Sequence, residues 1–363
     1  MNNIYIAGAH SRAITMGYYL QYLDQNINIL AYLYDNDEEN PEFIGNIPVY
    51  HIDENSQLNS EATVYLGTRG ANHPRLTETL TKCGIKKIIP VDVKLDLDIR
   101  NRFLKKYCSA IGRKYIKLED LNRLSECSNK KYDNTTCVYV ASSAFDKPLE
   151  KNAYNLKSYE KVIQVGTELA DFHIDATYFD NEGDNISDMN PQFCELTGLY
   201  WIWKHAQQDY VGLVHYRRHF LVPVDWLERL IDNNVDVVLP LPLYVGPNIE
   251  DNYCTRHIKS NWCNMLNYLK NRDSADYEEA SMFFKNTALY SPCNMFIMKR
   301  EILNDLCQWM FPVLFDVANK GGQMDEKYQN RYPGFISERL ITYFFEKNRN
   351  KYNVVYADKN FLT

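Results

Sequence analysis

The sequence predicts an α/β protein built in two parts, and three observations carry that expectation. Strand-like and helix-like stretches alternate from residue 3 onward. Tyr210 to Val214 is an almost wholly apolar run, as a strand covered on both faces must be, and His215, Tyr216, Arg217 and Arg218 follow it at once. At 363 residues the chain is long enough that two cores are expected rather than one.

In order, Asn3 to Ala7 reads as a strand, Ser11 to about Asp24 as a helix, and Ile27 to Tyr34 as a second strand ending on Asp35. Thr63 to Leu66 is a third strand, followed by a helix from about Pro74 and a strand from Lys87 to Val91. Strands and helices in this order make a small doubly wound unit, bounded here at residues 1–98. Its first turn, Gly8-Ala9-His10-Ser11-Arg12-Ala13, keeps only the first glycine of a dinucleotide-binding fingerprint, although Asp35 stands near the place of a ribose-binding acid. The missing glycines weigh against an NAD enzyme. The unit resembles the small N-terminal Rossmann-like domains of bacterial sugar acyltransferases, including the turn from Ile47 to Tyr50 after an acidic loop. That resemblance implies nucleotide-sugar or subunit contacts.

Residues 99–123 hold eight Lys/Arg against two acids in a chain whose net charge is −7, and Ser125 to Thr136 is polar and turn-rich. Residues 99–136 therefore read as a basic helical connector and a linker. A solvated face between domains is the plain reading of the connector, and weak contact with an anionic membrane surface is the alternative.

The second domain is placed at residues 137–363 and opens with the strand CVYVASS, then Lys161 to Val165. A polar loop from Asp180 leads to Asn190, which can cap a helix; Pro191 suits the first turn, and the helix is expected to run to about Ala206. Phe193, Leu196, Tyr200 and Trp203 form one stripe on it, and Leu199, Ile202 and Ala206 form another that also contains Glu195. A carboxylate on an apolar stripe needs a partner; the plain reading is one buried structural ion pair with Arg217 or Arg218, and the four polar residues gathered at one strand end point beyond it to an anionic, phosphorylated ligand. Two adjacent strand residues point to opposite faces, so one arginine can serve structure while the other offers its planar fork to phosphate oxygens. Beyond lie a helix from Asp225 to Ile231, a strand from Val235 to Leu239 ending at Pro240, and a long stretch without an assigned element. Cys293 to Met298 is then a strand, Arg300 to about Phe315 a helix, and PGFISERLITYFFEK the last marked segment.

The negative net charge argues against a duplex nucleic-acid partner, whose binding domain should be basic. Nine cysteines show neither a CxxC pair nor a zinc spacing, so reduced structural thiols are expected. The 28 tyrosines suit sugar stacking but equally suit cores. The N-terminus carries no positive n-region and no run of 18 apolar residues occurs, so a cytoplasmic protein, soluble or peripheral at the inner membrane face, is expected.

Asp180, Gly183-Asp184-Asn185-Ile186-Ser187, Asn190, CELTGLYWIWKH, DYVGLVHYRRHF, NMFIMKRE and GFISERL together resemble the bacterial capsule and exopolysaccharide glycosyltransferases. Their shared domain was long catalogued as of unknown function, and members include galactofuranosyltransferases. The resemblance covers about residues 137 to 360. It implies a GT-A-like fold and transfer of a sugar, galactofuranose being the first to test, from a UDP-sugar donor to a lipid-linked glycan or oligosaccharide acceptor in capsule, exopolysaccharide or O-antigen synthesis.

In GT-A enzymes a strand ends in a DxD motif that holds a divalent cation against the donor diphosphate; the corresponding strand here, VGLVHYRR, ends with no carboxylate. The resemblance therefore implies a donor site made by Asp180, Asn185, Asn190, Glu195, His215, Tyr216, Arg217 and Arg218, with Arg217 or Arg218 neutralising the diphosphate in place of a metal. The alternative is Mg²⁺ or Mn²⁺ on Asp180, Asp184 and Asp188. Asn294 and Met295 fall on the acceptor side. An inverting transfer needs a base for the acceptor hydroxyl, and the candidates in order are Glu338, Asp184 and His215; Glu338 could instead pair with Arg339 or Arg331. A non-catalytic nucleotide-sugar-binding assembly protein is the other class of reading, and a homo-oligomer is left open.

Overall fold

The alternation that begins at residue 3 becomes a six-stranded sheet in the computed structural model, which describes residues 2–123, 133–150 and 153–362. The chain divides into two compact units, Met1–Tyr115 and Ile116–Thr363. The first contains β1 (Asn2–Ala7), α1 (Ser11–Leu23), β2 (Ile27–Tyr34), β3 (Phe43–Ile44), β4 (Ile47–His51), β5 (Thr63–Leu66), α2 (His73–Lys82), β6 (Lys87–Pro90) and α3 (Val93–Ala110). The strand order is β3-β4-β2-β1-β5-β6, and all neighbours are parallel except β3 and β4. Strand alternation sends Tyr5, Ala7, Ala31, Leu33, Val64 and Leu66 to the face where Leu76 and Leu80 of α2 pack. On the other face Gly17 lets α1 come close, since a Cβ there would lie 2.9 Å from Ile6 and 2.4 Å from the Tyr32 hydroxyl.

The first compact unit extends to Tyr115 rather than ending at the expected residue 98, because the start of the basic segment, residues 99–110, belongs to α3. Asp92 caps that helix by accepting from the Leu95 N–H at 2.8 Å. Ile99, Phe103, Leu104 and Cys108 are buried, and Phe103 stacks on Tyr19 of α1 at 4.3 Å between ring centres. Phe103 is thus used against α1, while Arg102, Lys105 and Lys106 are exposed. The linker expected at 125–136 lies for the most part outside the described residues.

The second unit contains β7 (Thr136–Ser142), β8 (Glu160–Gln164), β9 (Tyr178–Phe179), α4 (Asn190–Phe193), α5 (Leu196–His205), β10 (Tyr210–His215), β11 (Phe220–Leu221), α6 (Trp226–Asp232) and β12 (Val237–Pro240). It continues with β13 (Leu243–Tyr244), α7 (Ile249–Arg256), α8 (Lys259–Arg272), α9 (Ser274–Asn286), β14 (Leu289–Tyr290), β15 (Phe296–Lys299), α10 (Arg300–Gly321), α11 (Tyr332–Lys347) and β16 (Val354–Lys359). Its main sheet runs β11-β16-β12-β15-β10-β7-β8-β9. β10 lies near the middle, parallel to β7 and antiparallel to β15. Alternate residues serve two cores. Tyr139, Ala141, Val211, Leu213, Val237, Phe296 and Met298 join the large core with α5, α8, α10 and α11. Val138, Val140, Tyr210, Val214, Val238 and Ile297 join a smaller one with Trp226 and Leu230 of α6. Both faces of β10 are therefore covered, which is why its sequence is an apolar run rather than an alternation.

Two expectations are corrected here. The helix from Asn190 is two helices, because Cys194 takes φ 50° and ψ −127° and breaks the path. Asn190 is not its cap: its amide donates forward to the Cys194 carbonyl at 2.8 Å and the Thr197 hydroxyl at 3.1 Å, holding the break. The unassigned stretch after Pro240 folds into the helices α7, α8 and α9, enclosed by the antiparallel strand pair β13 and β14. Caps mark two of these helices, Asn248 accepting from the Asp251 N–H at 2.8 Å and Asp273 from that of Ala275 at 3.0 Å.

Candidate functional site

The site begins with a register. β10 and β15 pair antiparallel with Leu213 opposite Phe296, so the carboxyl end of β10 meets the residues that enter β15. His215 accordingly reaches Cys293, with Nε2 2.6 Å from its carbonyl oxygen. A carbonyl only accepts, so Nε2 carries the proton and Nδ1 keeps its lone pair in the neutral ring. Burial lowers the pKa of His215, the Glu195 carboxylate opposes that shift, and the Arg218 charge adds to it.

Cys293 and Asn294 both have positive φ, 76° and 50°, so the chain turns sharply before β15 instead of extending the strand back to 293. That turn aims the Asn294 amide at two elements: Nδ2 donates to Glu195 Oε1 at 2.8 Å and to the Gly334 carbonyl at 3.1 Å, and Oδ1 accepts from the Ser337 hydroxyl at 2.7 Å. Glu195, at the start of α5, lies 4.0 Å from His215 Nε2 and is 11% exposed. The partners of this carboxylate are thus Asn294 and His215, with the Arg331 charge nearby, and the plain reading of an ion pair with Arg217 or Arg218 is not what the structure forms.

Glu338, on the second turn of α11, accepts from the Cys293 N–H at 2.6 Å through Oε1 and from Arg339 at 2.6 Å through Oε2. The pairing with Arg339 allowed for in the sequence is therefore present. Burial raises the Glu338 pKa, and the neighbouring Arg339 offsets part of the rise. Each carboxylate oxygen has a second lone-pair site, so an incoming hydroxyl can still be accepted.

The two arginines after β10 divide their roles. Arg217 is tied down, its Nε donating to the Tyr216 hydroxyl at 2.7 Å and its terminal nitrogen to the Lys147 carbonyl at 3.1 Å. The guanidinium of Arg218 lies 5.2 Å from the centre of the Phe361 ring and donates no hydrogen bond to the described residues. Its charge acts on His215, Cys293 and Glu338. Beneath the turn, His219 is buried, stacked on Tyr154 at 3.8 Å and bonded to Glu160 at 2.8 Å.

The structure separates the remaining expected residues from this cluster. Asp180 is fully buried and accepts from the Gly166 N–H at 2.9 Å, the Thr167 N–H at 3.0 Å and the Ser187 hydroxyl at 2.5 Å. Asn185 is bonded within the same loop, to the Asn181 and Gly183 carbonyls and the Ser187 N–H. Asp184 is exposed beside the far half of α5, paired with Lys204 at 3.2 Å and Tyr200 at 3.0 Å. Glu195 is at the other end of that helix, which at ten residues is roughly 15 Å long. Asp188 is exposed. Asp180, Asp184 and Asp188 therefore do not converge, and the described residues contain no group of three or more His, Cys, Asp or Glu arranged to hold a metal ion. Met295 is a core residue facing α6, on the side of the sheet away from Glu338. Alternation decides this: Phe296, its neighbour, faces the large core.

Ser337, Arg331 and Asp146 complete the surroundings, and the site assignment read from the sequence lacked all three. Arg331 donates to Cys194 Sγ at 3.0 Å. Asp146 accepts from the Ser143 N–H at 2.7 Å, feels the charges of His215 and Arg217, and has its pKa raised by burial. Asp146 could have been found by the rule that singled out His215, since it follows the carboxyl end of the strand parallel to β10. Asp180→Ala would leave two buried N–H groups and a hydroxyl unpaired. It should cost about 3 kcal/mol of stability in urea unfolding, a change that added Mg²⁺ or Mn²⁺ does not restore.

A central mixed sheet covered by helices, with its polar groups gathered at one strand end, is a mixed α/β architecture. The chain matches the apo structure of the WbbM bifunctional glycosyltransferase with a TM-score of 0.55 and 24% identity, over 63% of this chain and 46% of that one. It spans less than half of that protein's length, and the likeness is one of fold. The chain belongs to the family described as a domain of unknown function, DUF4422, which matches residues 147–349. No curated protein matches it significantly. No helix among the described residues is long and apolar enough to cross a membrane.

Proposed function

We propose that the second unit transfers a sugar from a UDP-sugar to a hydroxyl of a lipid-linked or oligosaccharide acceptor in the synthesis of a surface polysaccharide. The observation that carries this reading is the guanidinium of Arg218, held at the carboxyl end of the central strand without a hydrogen-bonding partner among the described residues. In an open α/β sheet that is where ligands bind, and a planar fork matches diphosphate oxygens. The acceptor oxygen forms a bond to the anomeric carbon as the bond to the diphosphate breaks. The hydroxyl proton passes to Glu338, and UDP leaves with its new charge facing Arg218. Attack opposite the leaving group inverts the anomeric centre. Neutral His215, together with Asn294, orients Glu195 at the edge of the sugar site.

UDP-galactofuranose heads the panel of donors because of the resemblance to galactofuranosyltransferases. Slow hydrolysis of one UDP-sugar by the purified chain is the expected result, and it should persist in EDTA if Arg218 stands in for a metal. Native-state stabilisation by a UDP-sugar with no hydrolysis or transfer of any donor would instead make the protein a nucleotide-sugar-binding component. Activity lost in EDTA and restored by Mn²⁺ would move the diphosphate clamp from Arg218 to a metal.

A further inference from the structure

The first unit holds a cavity of about 530 Å³ at the carboxyl ends of β1, β2 and β5. β2 and β5 flank β1 on opposite sides, so this is the switch point of the sheet, where doubly wound folds bind their ligands. The volume is in the range of small-molecule sites.

The two ends of the cavity have opposite needs. At one end α1 begins directly after β1, and its first turn lines the cavity. Gly8, at φ +119°, makes the tight turn into it; a Cβ there would sit 3.0 Å from both Ala13 and Thr68. No side chain caps this 13-residue helix and no acid lies in its first turn, so it presents the partial positive charge of a helix N-terminus. The exposed Arg69 lies on the same wall. At the other end Asp35 terminates β2 with its side chain 8% exposed. Its Oδ1 accepts from Arg75 at 2.9 Å, while Oδ2 is buried with no partner. The side-chain oxygens of Asn36 and Asn40, which also line the cavity, are likewise buried without a donor. Buried acceptors are seldom left unmet, so this wall lacks hydroxyl or amine donors. His10 and Glu38 pair at 2.7 Å, linking the helix side to the acidic side.

We propose that this cavity is a second ligand site, separate from the transfer site, and that it takes a ribonucleoside 5′-diphosphate or a molecule built on one. The ribose hydroxyls donate to Asp35, and the phosphates lie against the first turn of α1 and Arg69. The glycine missing at residue 10 of the fingerprint leaves an exposed side chain at the mouth rather than a blocked floor.

The test uses the full chain carrying Arg218→Ala, so that binding at the proposed transfer site is weakened and the remaining binding reports the first unit. Equilibrium dialysis with labelled UDP and ADP should find one equivalent bound. Asp35→Ala, and separately Ser11→Glu, should each weaken it at least about tenfold, as should a 2′-deoxyribose analogue. Ser11→Glu places an acid at a helix N-terminus, which favours the helix while repelling phosphate, so it reports on binding without unfolding the unit. Weakening by either variant with an unchanged melting curve supports the site. Absence of binding to the Arg218→Ala chain, or unchanged binding in both variants, overturns it. Either result leaves the transferase reading standing or falling on donor hydrolysis alone.

Discussion

Arg218→Ala should lower the proposed sugar transfer by about two to three powers of ten in kcat, the range lost when one preorganised donor is removed from a reacting anion. Arg218→Lys should recover only part of that loss, because an ammonium is a point charge and does not reproduce two parallel hydrogen bonds to a diphosphate. Arg217→Ala is the comparison that gives the result meaning. Its guanidinium is already bonded to the Tyr216 hydroxyl and the Lys147 carbonyl, so this change should lower the melting temperature while leaving kcat within several-fold. Transfer preserved in Arg218→Ala and destroyed in Arg217→Ala would exchange the two roles and sink the assignment.

The second large effect is expected at Glu338. Glu338→Gln should reduce kcat by about 10²–10⁴-fold, the usual contribution of a positioned general base. The base works only when unprotonated, so wild-type transfer should rise with pH and level off above the raised pKa of this carboxyl, and the variant should lack that rise. The substitution also leaves the buried Arg339 without its carboxylate, so a lower melting temperature is expected whichever role the residue has. The pH profile separates the two. A variant that is slower yet keeps the wild-type slope would make Glu338 a purely structural partner of Arg339, with Glu195→Gln the next variant to profile.

Linkage gives an independent check on the same carboxyl. Its proton affinity is higher folded than unfolded, so its stabilising share is full below the ordinary glutamate range. That share is lost as pH rises through the raised value, and the opposite slope would contradict its burial.

The expectations that survived rest on local information. The apolar run from Tyr210 to Val214 required a strand covered on both faces, and the polar residues behind it had to lie at its carboxyl end. Most strands and helices of the first unit were legible for the same reason, since period is a property of a few consecutive residues; the exception is Ile47 to Tyr50, read as a turn, which pairs with β2 as the strand β4. The break at Cys194 was hidden because a non-glycine residue at positive φ has no local signature, and Phe193 and Leu196 on either side of it continue the helical apolar pattern. Helix α3 looked like a connector because its charge is visible in the sequence, whereas the aromatic cluster that fastens Phe103 to α1 is not.

The sequence by itself determined that this is a two-part α/β chain with cations at the end of a buried strand and an acid at the end of another. Periodicity and strand alternation are written residue by residue, and they place side chains on faces and at ends. Which of those side chains meet was decided only by the tertiary structure. The antiparallel pairing of β15 with β10 brings Cys293 and Asn294 to His215, and α11 adds Ser337 and Glu338 to them from more than 120 positions further along the chain than His215. Asp180 and Asp184, four residues apart, part company because one turns inward to three hydrogen-bond donors and the other outward to Lys204. A buried carboxylate goes where donors are, and the donors are assembled by long-range packing that no local pattern encodes.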